Sequence, residues 1–490
     1  MRLRDLALSL DASLKEPLVL QITRTIATAI RNGRLKPGVA LPGSRQLAEE
    51  LGVHRNTVIA ALKELEAEGW IESRQGSGTF VSERLPDLTP YRWGKVKKTS
   101  TPAHQAGFDI PTNMNPITAP VVAVMNMVEG LPDVRQAPTE AMAKAYQRAI
   151  RLHGDELLQY GEPKGNLTFR RTLAAMLSER RGLVVDPEQI LVTRGSRMGL
   201  DLVVLSLFQK GGVVAVEDPG NRAAWETIQQ SAGATIRPIP VDAEGLDTDA
   251  LEALCQKEKV GMVYLTPHHQ YPSTVTLSPG RRMKLLELAQ RHRMAILEDD
   301  YDYEYHYDSR PLLPLASGDP TGQVIYMSSM SKLIAPGVRL GFLVAPKDLV
   351  DRLARVRLRM DWQGDRVLEW SIAELIRDGD LARHIRKVRK LYEDRRDSLV
   401  ARLKEEMGDR LAFDIPRGGL ALWAKGAKGF DMDAWIRECR VRGLFLHPGR
   451  HFSFTGKDLA MTRIGFADFE EAQLDDAARR MNAALVHGEG

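Results

Sequence analysis

The chain has 490 residues, of which 43% are hydrophobic and 27% charged, and its net charge is +4. This length exceeds one ordinary domain, so two or more are expected. Two cysteines, Cys255 and Cys439, exclude a disulfide framework and a cysteine-rich zinc module, and they favour a reducing compartment. The first residues carry Asp5 and Asp11 and no small-residue cleavage site, which predicts neither a signal peptide nor a membrane span. We therefore expect a cytoplasmic protein.

Three zones of the chain differ in composition and in hydrophobic pattern. Residues 1–82 are compact and patterned, and we expect them to form one domain. Residues 83–112 contain scattered prolines, a basic cluster and no sustained period, which predicts a linker. Residues 113–490 alternate amphipathic helical segments with short apolar runs such as Val213–Val216. This alternation predicts an α/β domain with a parallel or mixed sheet.

The amino-terminal zone has the pattern of two helices joined by a tight turn. Leu18–Ile30 carries apolar residues at helical spacing and is closed by Asn32–Gly33. Ser44 is predicted to cap a second helix that ends at Gly52, and a third helix begins near His54. The pattern predicts a helix-turn-helix unit whose last helix enters the major groove of DNA.

Polar residues at the start of that last helix, together with a short hairpin beyond it, suit contact with DNA. His54, Arg55, Asn56 and Thr57 are hydrogen-bonding types that reach base edges or phosphates. Two β-prone runs flank Gln75–Gly78, which predicts a wing near the phosphate backbone. Each element alone also fits a helical domain with a solvated charged face. The agreement of helix, turn, helix and wing in order favours DNA binding.

The stretch from Pro17 to Ser82 resembles the winged helix of the GntR family. The segments GRLKPG, LPGSRQLAEELGVHRNTV, LEAEGWIES and QGSGTFV carry this resemblance. It implies binding to double-stranded promoter DNA. The DNA-contacting positions that it implies are Arg45, Arg55, Asn56, Thr57, Gln75 and Gly76.

Three segments of the carboxy-terminal zone suggest a cofactor site. YMSSMSKLIAPGVRLGF places Lys332 in a serine-rich loop seven residues before Arg339, which suits a Schiff-base lysine beside a phosphate-binding arginine. MAILEDDYDYEY brings acidic and tyrosine side chains to the end of a predicted strand, where ligands bind in α/β sheets. TRGSRMG predicts a helix N-terminus able to bind an anion. Taken singly, these could be a solvated lysine, an acidic surface loop and an ordinary turn.

Together the three segments resemble the fold-type I aminotransferases, from about Asn113 to the end of the chain. The resemblance implies a fold of large and small subdomains and the cofactor pyridoxal 5'-phosphate (PLP), held on Lys332. Asp299 would pair with the pyridine nitrogen and Tyr301 with the ring oxygen, although the neighbouring Asp300 leaves the choice of aspartate open. The phosphate would be held by Gly195, Ser196, Ser329 and Arg339, and by Tyr160 of a partner subunit. Arg463, in MTRIGFA, would bind a substrate carboxylate.

Two segments depart from the aminotransferase pattern. HHQYPST stands where relatives carry Asn-Pro-Thr-Gly, so the ring-oxygen role of that segment is open among His269, Gln270 and Tyr271. Asn221 stands where relatives commonly carry an aromatic residue that stacks on the ring, and Trp225 is a candidate substitute. These departures put efficient transamination in doubt.

The order of winged helix, basic linker and aminotransferase-like domain resembles the MocR/GabR family of regulators. The resemblance implies a homodimeric transcription regulator that senses PLP, or an amino compound that forms an external aldimine with it. The alternative is a working aminotransferase with an appended DNA-binding domain. A cofactor-free dimerisation scaffold is a third idea, which Lys332 and Arg339 in one serine-rich loop argue against. We favour the sensor, with any transamination vestigial.

Overall fold

The structure is a computed structural model that describes residues 17–74, 78–85, 109, 125–208, 211–307 and 312–487. The chain divides into two compact units, residues 1–117 and residues 118–490. The predicted linker at residues 83–112 lies almost entirely outside the described residues, so its bounds stay a prediction. No helix among the described residues is long and apolar enough to cross a membrane.

The first unit packs three helices against a two-stranded hairpin. Its elements are α1 (Leu18–Arg31), α2 (Ser44–Leu51), α3 (Arg55–Ala67), β1 (Ile71–Arg74) and β2 (Gly78–Val81). The apolar face of α1 buries Ile22, Ile26 and Ile30 against Val58 and Leu65 of α3. The hairpin is antiparallel, with Ile71 paired to Val81 at its open end and Arg74 paired to Gly78 at the other end. The predicted helices, turn and wing strands are therefore all present.

One predicted cap is wrong. Ser44 is the first helical residue of α2, and extended Gly43 (ψ 155°) occupies the cap position without a side-chain bond. The Ser44 hydroxyl instead accepts a hydrogen bond from Arg55 Nε at 3.3 Å. The cap of α3 is His54, whose Nδ1 accepts from the Asn56 amide at 3.2 Å. The start of α2 and the start of α3 are thus held together by the Ser44–Arg55 contact.

The second unit is built on an eight-stranded mixed sheet. Its strands in chain order are β4 (Ile190–Thr193), β5 (Val213–Asp218), β6 (Thr235–Asp242), β7 (Gly245–Leu246), β8 (Val260–Leu265), β9 (Ala295–Asp299), β10 (Val324–Ser329) and β11 (Gly341–Val344). Their order across the sheet is β4-β11-β10-β9-β8-β5-β6-β7. The five strands from β10 to β6 are parallel, whereas β11 runs antiparallel to both β10 and β4. The mixed α/β sheet predicted from the apolar runs is therefore observed.

Helices cover both faces of this sheet, and the last helices of the chain pack in the core of the small subdomain. They are α4 (Thr139–Leu157), α5 (Leu167–Arg181), α6 (Ser196–Leu207), α7 (Arg222–Ala232), α8 (Thr248–Lys257), α9 (Pro279–His292), α10 (Lys347–Arg357), α11 (Arg366–Arg377), α12 (Asp380–Met407), α13 (Met432–Val441) and α14 (Glu471–Ala483). Two core clusters lie on opposite faces of the sheet near β4 and β11, since Leu191 and Leu343 belong to one and Val192 and Phe342 to the other. Alternate side chains of a strand point to opposite faces, so both faces are buried.

A smaller subdomain follows α12. Strands β12 (Leu411–Ala412), β13 (Ala421–Gly426) and β15 (Met461–Gly465) form an antiparallel sheet. A further pair joins β3 (Met125–Asn126) in parallel to β14 (Leu444–Phe445). These elements share one core with α12, α13 and α14. Residues 125–130, at the start of the described part of this unit, therefore run along the small subdomain.

Candidate functional sites

The first candidate site is the exposed surface at the start of α3. Arg45, Arg55 and Asn56 are exposed, and Thr57 is half-buried. The Ser44–Arg55 contact joins the first turns of α2 and α3, which brings the predicted DNA-contacting residues of both helices to one surface. Four of the six predicted DNA-contacting residues therefore lie together.

The wing is described only in its strands. Gln75 and Gly76, the two wing residues predicted to contact DNA, lie outside the described residues. Arg74 pairs with Glu72 at 2.5 Å and with Glu83 at 3.4 Å, and its guanidinium lies over the Phe80 ring. Its charge is therefore already partly neutralised within the hairpin.

The second candidate site centres on Lys332, three residues beyond the end of β10. Its amine donates to the carbonyl oxygens of Gly130 at 3.0 Å and Glu129 at 3.2 Å. No carboxylate lies within ion-pair distance of it among the described residues. Burial lowers the pKa of this amine. The Tyr305 hydroxyl donates to the Lys332 carbonyl at 2.7 Å and fixes the backbone of the loop. Lys332 is therefore a half-buried amine that is more readily unprotonated than a surface lysine.

Asp299 ends β9, the strand beside β10, and carries a carboxylate with one free oxygen. Its Oδ2 accepts from the Tyr264 hydroxyl at 2.7 Å, while Oδ1 is buried with no hydrogen-bond partner in the described part of the chain. Burial raises the pKa of this carboxyl to about 7. A buried polar atom without a partner is costly, so Oδ1 is suited to accept a hydrogen bond from a ligand.

The structure distinguishes the two tandem aspartates. Asp300 Oδ2 accepts from the Tyr326 hydroxyl at 2.6 Å and lies 3.8 Å from the buried guanidinium of Arg181. Its carbonyl also accepts from the Ser328 hydroxyl. Asp300 thus belongs to a buried ionic network of the large subdomain that also includes Glu304. Both aspartates have a buried Oδ1 without a partner among the described residues, but the Asp299 side chain is hydrogen-bonded there to Tyr264 only and belongs to no ion pair, which favours Asp299 as the ligand-facing residue.

Four predicted phosphate-binding residues converge where β4, β10 and β11 end or begin. Thr193 pairs with Gly341, and Ser329 pairs with the same glycine from the other side. Gly195 is the cap of α6 with φ 83°, and a Cβ atom there would lie 3.1 Å from the Arg339 guanidinium. Arg339 donates to the Arg194 carbonyl at 3.0 Å. Ser196 begins α6, so free backbone N–H groups, an arginine and hydroxyls occupy one region, which suits a dianion.

The three residues of HHQYPST that were left open have different surroundings. His269 Nδ1 pairs with Asp302 at 2.8 Å. The Gln270 amide is bonded to the Pro219 and Tyr271 carbonyls and to Ser273. No hydrogen-bond partner of the Tyr271 hydroxyl lies in the described residues, and its ring packs under the Arg463 guanidinium at 4.7 Å. Tyr271 is therefore the member of this segment with an uncommitted polar atom beside the site.

Tyr301 and Arg463 both lie next to this segment. The Tyr301 hydroxyl donates to the His269 carbonyl at 3.0 Å, so its proton is already used, although its oxygen can still accept. Arg463 is buried, donates to the Pro272 carbonyl at 2.8 Å and leaves Nε without a partner. An unpartnered buried guanidinium N–H is a ready donor to a carboxylate.

Tyr160 lies apart from these residues within the single chain. Its side chain is 83% exposed and its ring contacts Trp362 at 5.6 Å. Such exposure of a large aromatic ring is what a contact with a second subunit requires, and that contact stays a prediction.

Asn221 and Trp225 do not provide a stacking ring in the way the aminotransferase pattern suggested. Asn221 caps α7, its Oδ1 accepting from the amides of Ala223 and Ala224. Its Nδ2 donates to the Tyr264 hydroxyl at 3.4 Å. Trp225 is 4% exposed and packs edge-on against Phe454 in a core cluster. The helix thus turns Trp225 into the protein core.

Sequence reasoning missed Tyr264 and Glu129. Tyr264 is the one residue with a polar side-chain atom in the buried strand VGMVYL, and that mismatch was a usable signal. Glu129 is exposed, its carbonyl accepts from Lys332, and its carboxylate has no partner among the described residues. Nothing in the sequence placed Glu129 beside a lysine 203 positions away.

The chain is similar to regulators and to aminotransferases. The family model "Aminotransferase class I and II" matches residues 122–481, and "Bacterial regulatory proteins, gntR family" matches residues 18–81. The probable rhizopine catabolism regulatory protein MocR of Rhizobium meliloti is 29% identical, over 98% of this chain and 96% of that protein. The HTH-type pyridoxine biosynthesis transcriptional regulator PdxR of Corynebacterium glutamicum is 31% identical, over 83% of this chain and 82% of that protein.

Among solved structures, the kynurenine aminotransferase of Pyrococcus horikoshii in complex with PMP superposes with a TM-score of 0.70 at 28% identity. The match covers 76% of this chain and 92% of that one. The similarities confirm the predicted fold class, a winged helix followed by a fold-type I aminotransferase domain.

Proposed function

The chain belongs to the aminotransferase class I and II family with a gntR-family regulatory domain ahead of it, and from this premise we propose that its Lys332 site senses an amino compound and controls promoter binding. The protein is a DNA-binding transcription regulator whose large unit takes PLP as its cofactor. One observation carries the proposal. Among the described residues the Lys332 amine is bonded only to backbone carbonyls, and it follows a strand adjacent to the one that ends at Asp299, in a chain that also carries a DNA-binding unit.

The residues around Lys332 fit PLP in chemistry. When bound, PLP supplies an aldehyde for the lysine amine and an electron-withdrawing pyridine ring. Asp299 offers the unpartnered Oδ1 to the ring nitrogen, and the hydroxyls of Tyr301 and Tyr271 are available to the ring oxygen. The phosphate would be held by Gly195, Ser196, Ser329 and Arg339.

The state of Lys332 supports covalent attachment to an aldehyde. Only an unprotonated amine attacks a carbonyl carbon, and a surface lysine is almost entirely protonated near neutral pH. Burial lowers the pKa of Lys332, and the carbonyls of Glu129 and Gly130 orient the amine without adding a negative charge. Lys332 therefore has the character of a nucleophile.

The effector is proposed to be an amine that exchanges with Lys332 on the cofactor, or PLP itself. Arg463 has a buried, unpartnered Nε beside Tyr271, which supports binding of an effector carboxylate. Glu129, whose carbonyl contacts Lys332, carries a carboxylate with no partner among the described residues. An effector that carries both groups would bind Arg463 through its carboxylate and take the place of Lys332 on the cofactor through its amine.

A homodimer is part of the proposal. Tyr160 and Trp362 form an exposed aromatic pair, and α4 exposes Tyr146, Ile150 and Leu152. Large exposed apolar side chains of this kind support a contact with a partner subunit. A partner subunit that covers it would receive Tyr160 as a phosphate ligand, and an effector could then change the arrangement of DNA-binding units.

DNA recognition is proposed for the start of α3. Arg55 and Asn56 would contact base edges or phosphates, with Thr57, Arg45 and the wing residues Gln75 and Gly76 beside them. Exposure of Arg55 and Asn56 and the contact that joins α2 to α3 support this assignment. We also propose a cytoplasmic location, because a regulator must reach promoter DNA.

The second candidate function is an active aminotransferase with an appended DNA-binding unit. Asp299, Lys332 and Arg463 favour it, because they preserve the groups such chemistry needs. The aromatic-amino-acid aminotransferase 1 of Thermococcus litoralis is also 30% identical over 73% of this chain. The missing stacking ring at Asn221 favours sensing.

An absorbance titration distinguishes the two functions. The purified protein is loaded with PLP and titrated with pairs of compounds that differ only by a carboxylate, such as an α-amino acid and the corresponding amine. A sensor shows a saturable shift of the lysine-bound band without accumulation of pyridoxamine phosphate. Rapid formation of pyridoxamine phosphate, reversed by a keto acid, identifies an aminotransferase instead. Absence of a lysine-bound band at any PLP concentration refutes both.

Arg463→Ala sharpens the same titration. Loss of a charge-assisted hydrogen bond should weaken the response to the amino acid roughly tenfold or more, and leave the response to the carboxylate-free amine unchanged. Arg442→Ala is a matched control, because Arg442 lies in the small subdomain and pairs with Glu438. Equal weakening for both members of a compound pair would exclude Arg463 as the carboxylate ligand.

A further inference from the structure

Three side chains form a hydrogen-bonded chain beneath the proposed cofactor site. Asn221 Nδ2 donates to the Tyr264 hydroxyl at 3.4 Å, and that hydroxyl donates to Asp299 Oδ2 at 2.7 Å. Tyr264 is 2% exposed and Asp299 is 7% exposed. They come from three different elements, namely the cap of α7, strand β8 and the end of β9.

The direction of both hydrogen bonds is fixed by the cap of α7. Asn221 Oδ1 accepts from the amides of Ala223 at 3.1 Å and Ala224 at 3.4 Å, so the amide nitrogen must face Tyr264. The Tyr264 oxygen therefore accepts from Asn221, and its single proton is free to be donated to Asp299. The short distance of the second bond agrees with a hydroxyl that donates to a carboxylate.

This donation opposes the effect of burial on Asp299. Burial raises the pKa of the carboxyl to about 7, and the charges of Asp300 and Asp302 act in the same direction. The hydrogen bond from Tyr264 acts in the opposite direction, because it stabilises the ionised form. It also occupies Oδ2, so that Oδ1 remains as the acceptor without a partner.

On the basis of the proposed function, we propose that Tyr264 is a positioning residue that favours the ionised form of Asp299 and leaves its Oδ1 for the pyridine nitrogen of PLP. Asn221 assists by donating to the Tyr264 oxygen, which leaves the proton of that hydroxyl for Asp299. An ionised Asp299 would hold the proton on the ring nitrogen of bound PLP, and that proton would strengthen the ring as an electron acceptor. Asn221, which stands where relatives carry a stacking aromatic ring, would thus support the cofactor through its hydrogen bond to Tyr264.

The chain offers a matched control in Tyr326. Tyr326 is buried in β10, and its hydroxyl donates to Asp300 Oδ2 at 2.6 Å. Tyr264→Phe and Tyr326→Phe therefore remove the same atom from the same kind of buried tyrosine–aspartate pair. They differ in which of the two tandem aspartates loses its donor, and in the donor to the tyrosine oxygen, which is Arg181 for Tyr326 and Asn221 for Tyr264.

The test is nitrogen NMR of the intact protein loaded with PLP that carries ¹⁵N in the ring. In the wild type and in Tyr326→Phe we expect the resonance at the position of a protonated ring nitrogen. In Tyr264→Phe we expect it to move toward the unprotonated position, with PLP affinity roughly 10- to 100-fold lower. An unprotonated ring in the wild type, or an unmoved resonance in Tyr264→Phe, overturns the proposal. An equal movement in Tyr326→Phe also overturns it.

Asn221→Ser gives a second, milder measurement if Tyr264→Phe does not fold. Serine can still cap α7, but it lacks the donor that reaches Tyr264. We expect a smaller movement of the ring-nitrogen resonance in the same direction, and no movement contradicts the proposal. Failure of the proposed function gives a different result, namely a wild-type protein that never attaches PLP to Lys332.

Discussion

The two candidate sites of this protein differ in how exposed their side chains are and in how many hydrogen bonds those side chains already make within the protein. At the start of α3, Arg45, Arg55 and Asn56 are exposed, and Arg55 makes a single side-chain hydrogen bond. Around Lys332, Asp299 and Arg463 are buried and each carries one bonded and one unbonded polar atom. DNA is a large polyanion that brings many contacts to an exposed surface, whereas a small cofactor needs a few groups already fixed in place.

This difference predicts graded losses of affinity at the DNA surface and complete loss of covalent attachment when Lys332 itself is removed. Each DNA contact adds its own share of the binding free energy. A buried site instead leaves its remaining polar groups without partners when one member is removed.

Lys332→Ala should abolish covalent attachment of PLP, because the loop between β10 and β11, residues 330–340, contains no other lysine. The visible band of the lysine-bound cofactor should be absent at any PLP concentration. Lys347→Ala is the control, since Lys347 is exposed and pairs with Asp351. A band of wild-type intensity in Lys332→Ala would exclude this lysine as the attachment point.

Arg55→Ala should weaken promoter binding roughly 10- to 100-fold while leaving the cofactor band unchanged. The measurement is fluorescence anisotropy with a duplex enriched from genomic DNA by the wild-type protein. Lys63→Ala provides the comparison, because Lys63 is exposed on α3 eight residues beyond Arg55. If both variants bind DNA equally well, the start of α3 is not the recognition surface.

The pH dependence of PLP attachment should reflect the buried state of Lys332. Its pKa is lowered by burial, so the unprotonated amine persists to lower pH than for an ordinary lysine near 10.4. Attachment rates, followed by absorbance after mixing, should therefore level off well below pH 10. A rate that rises about tenfold per pH unit up to pH 10 would show an unperturbed amine.

Arg74→Ala should change promoter affinity by less than about threefold, because an exposed arginine that already holds ion-pair partners has little charge left to contribute. Glu72 and Glu83 are those partners. A loss as large as that of Arg55→Ala would mean that DNA displaces both glutamates and that the wing contributes as much as α3.

The sequence predicted the elements better than the contacts between them. Periodicity identified α1 to α3, and strand β9 delivers Asp299 to the sheet edge as expected. The cap at Ser44 was wrong because its hydroxyl bonds to Arg55, a contact eleven positions away.

Tyr264 was missed because a tyrosine in a buried strand is usually part of the core, and its role depends on partners 35 and 43 positions away. Asn221 was interpreted as a missing ring, yet its amide is a cap and a donor. The local sequence pattern predicts helices and strands, whereas hydrogen-bond partners that are far apart in the sequence are known only once the sheet has been assembled.

The most direct test of the central claim follows cofactor absorbance and promoter anisotropy in one sample of PLP-loaded protein during titration with an amine effector. Because a ligand that prefers one DNA-binding state must itself be bound differently by that state, the two signals should change at the same effector concentration. Arg463→Ala should move both midpoints together for a carboxylate-bearing effector. An effector that saturates the absorbance change and leaves promoter affinity constant would contradict the account, since the lysine site would then not control DNA binding.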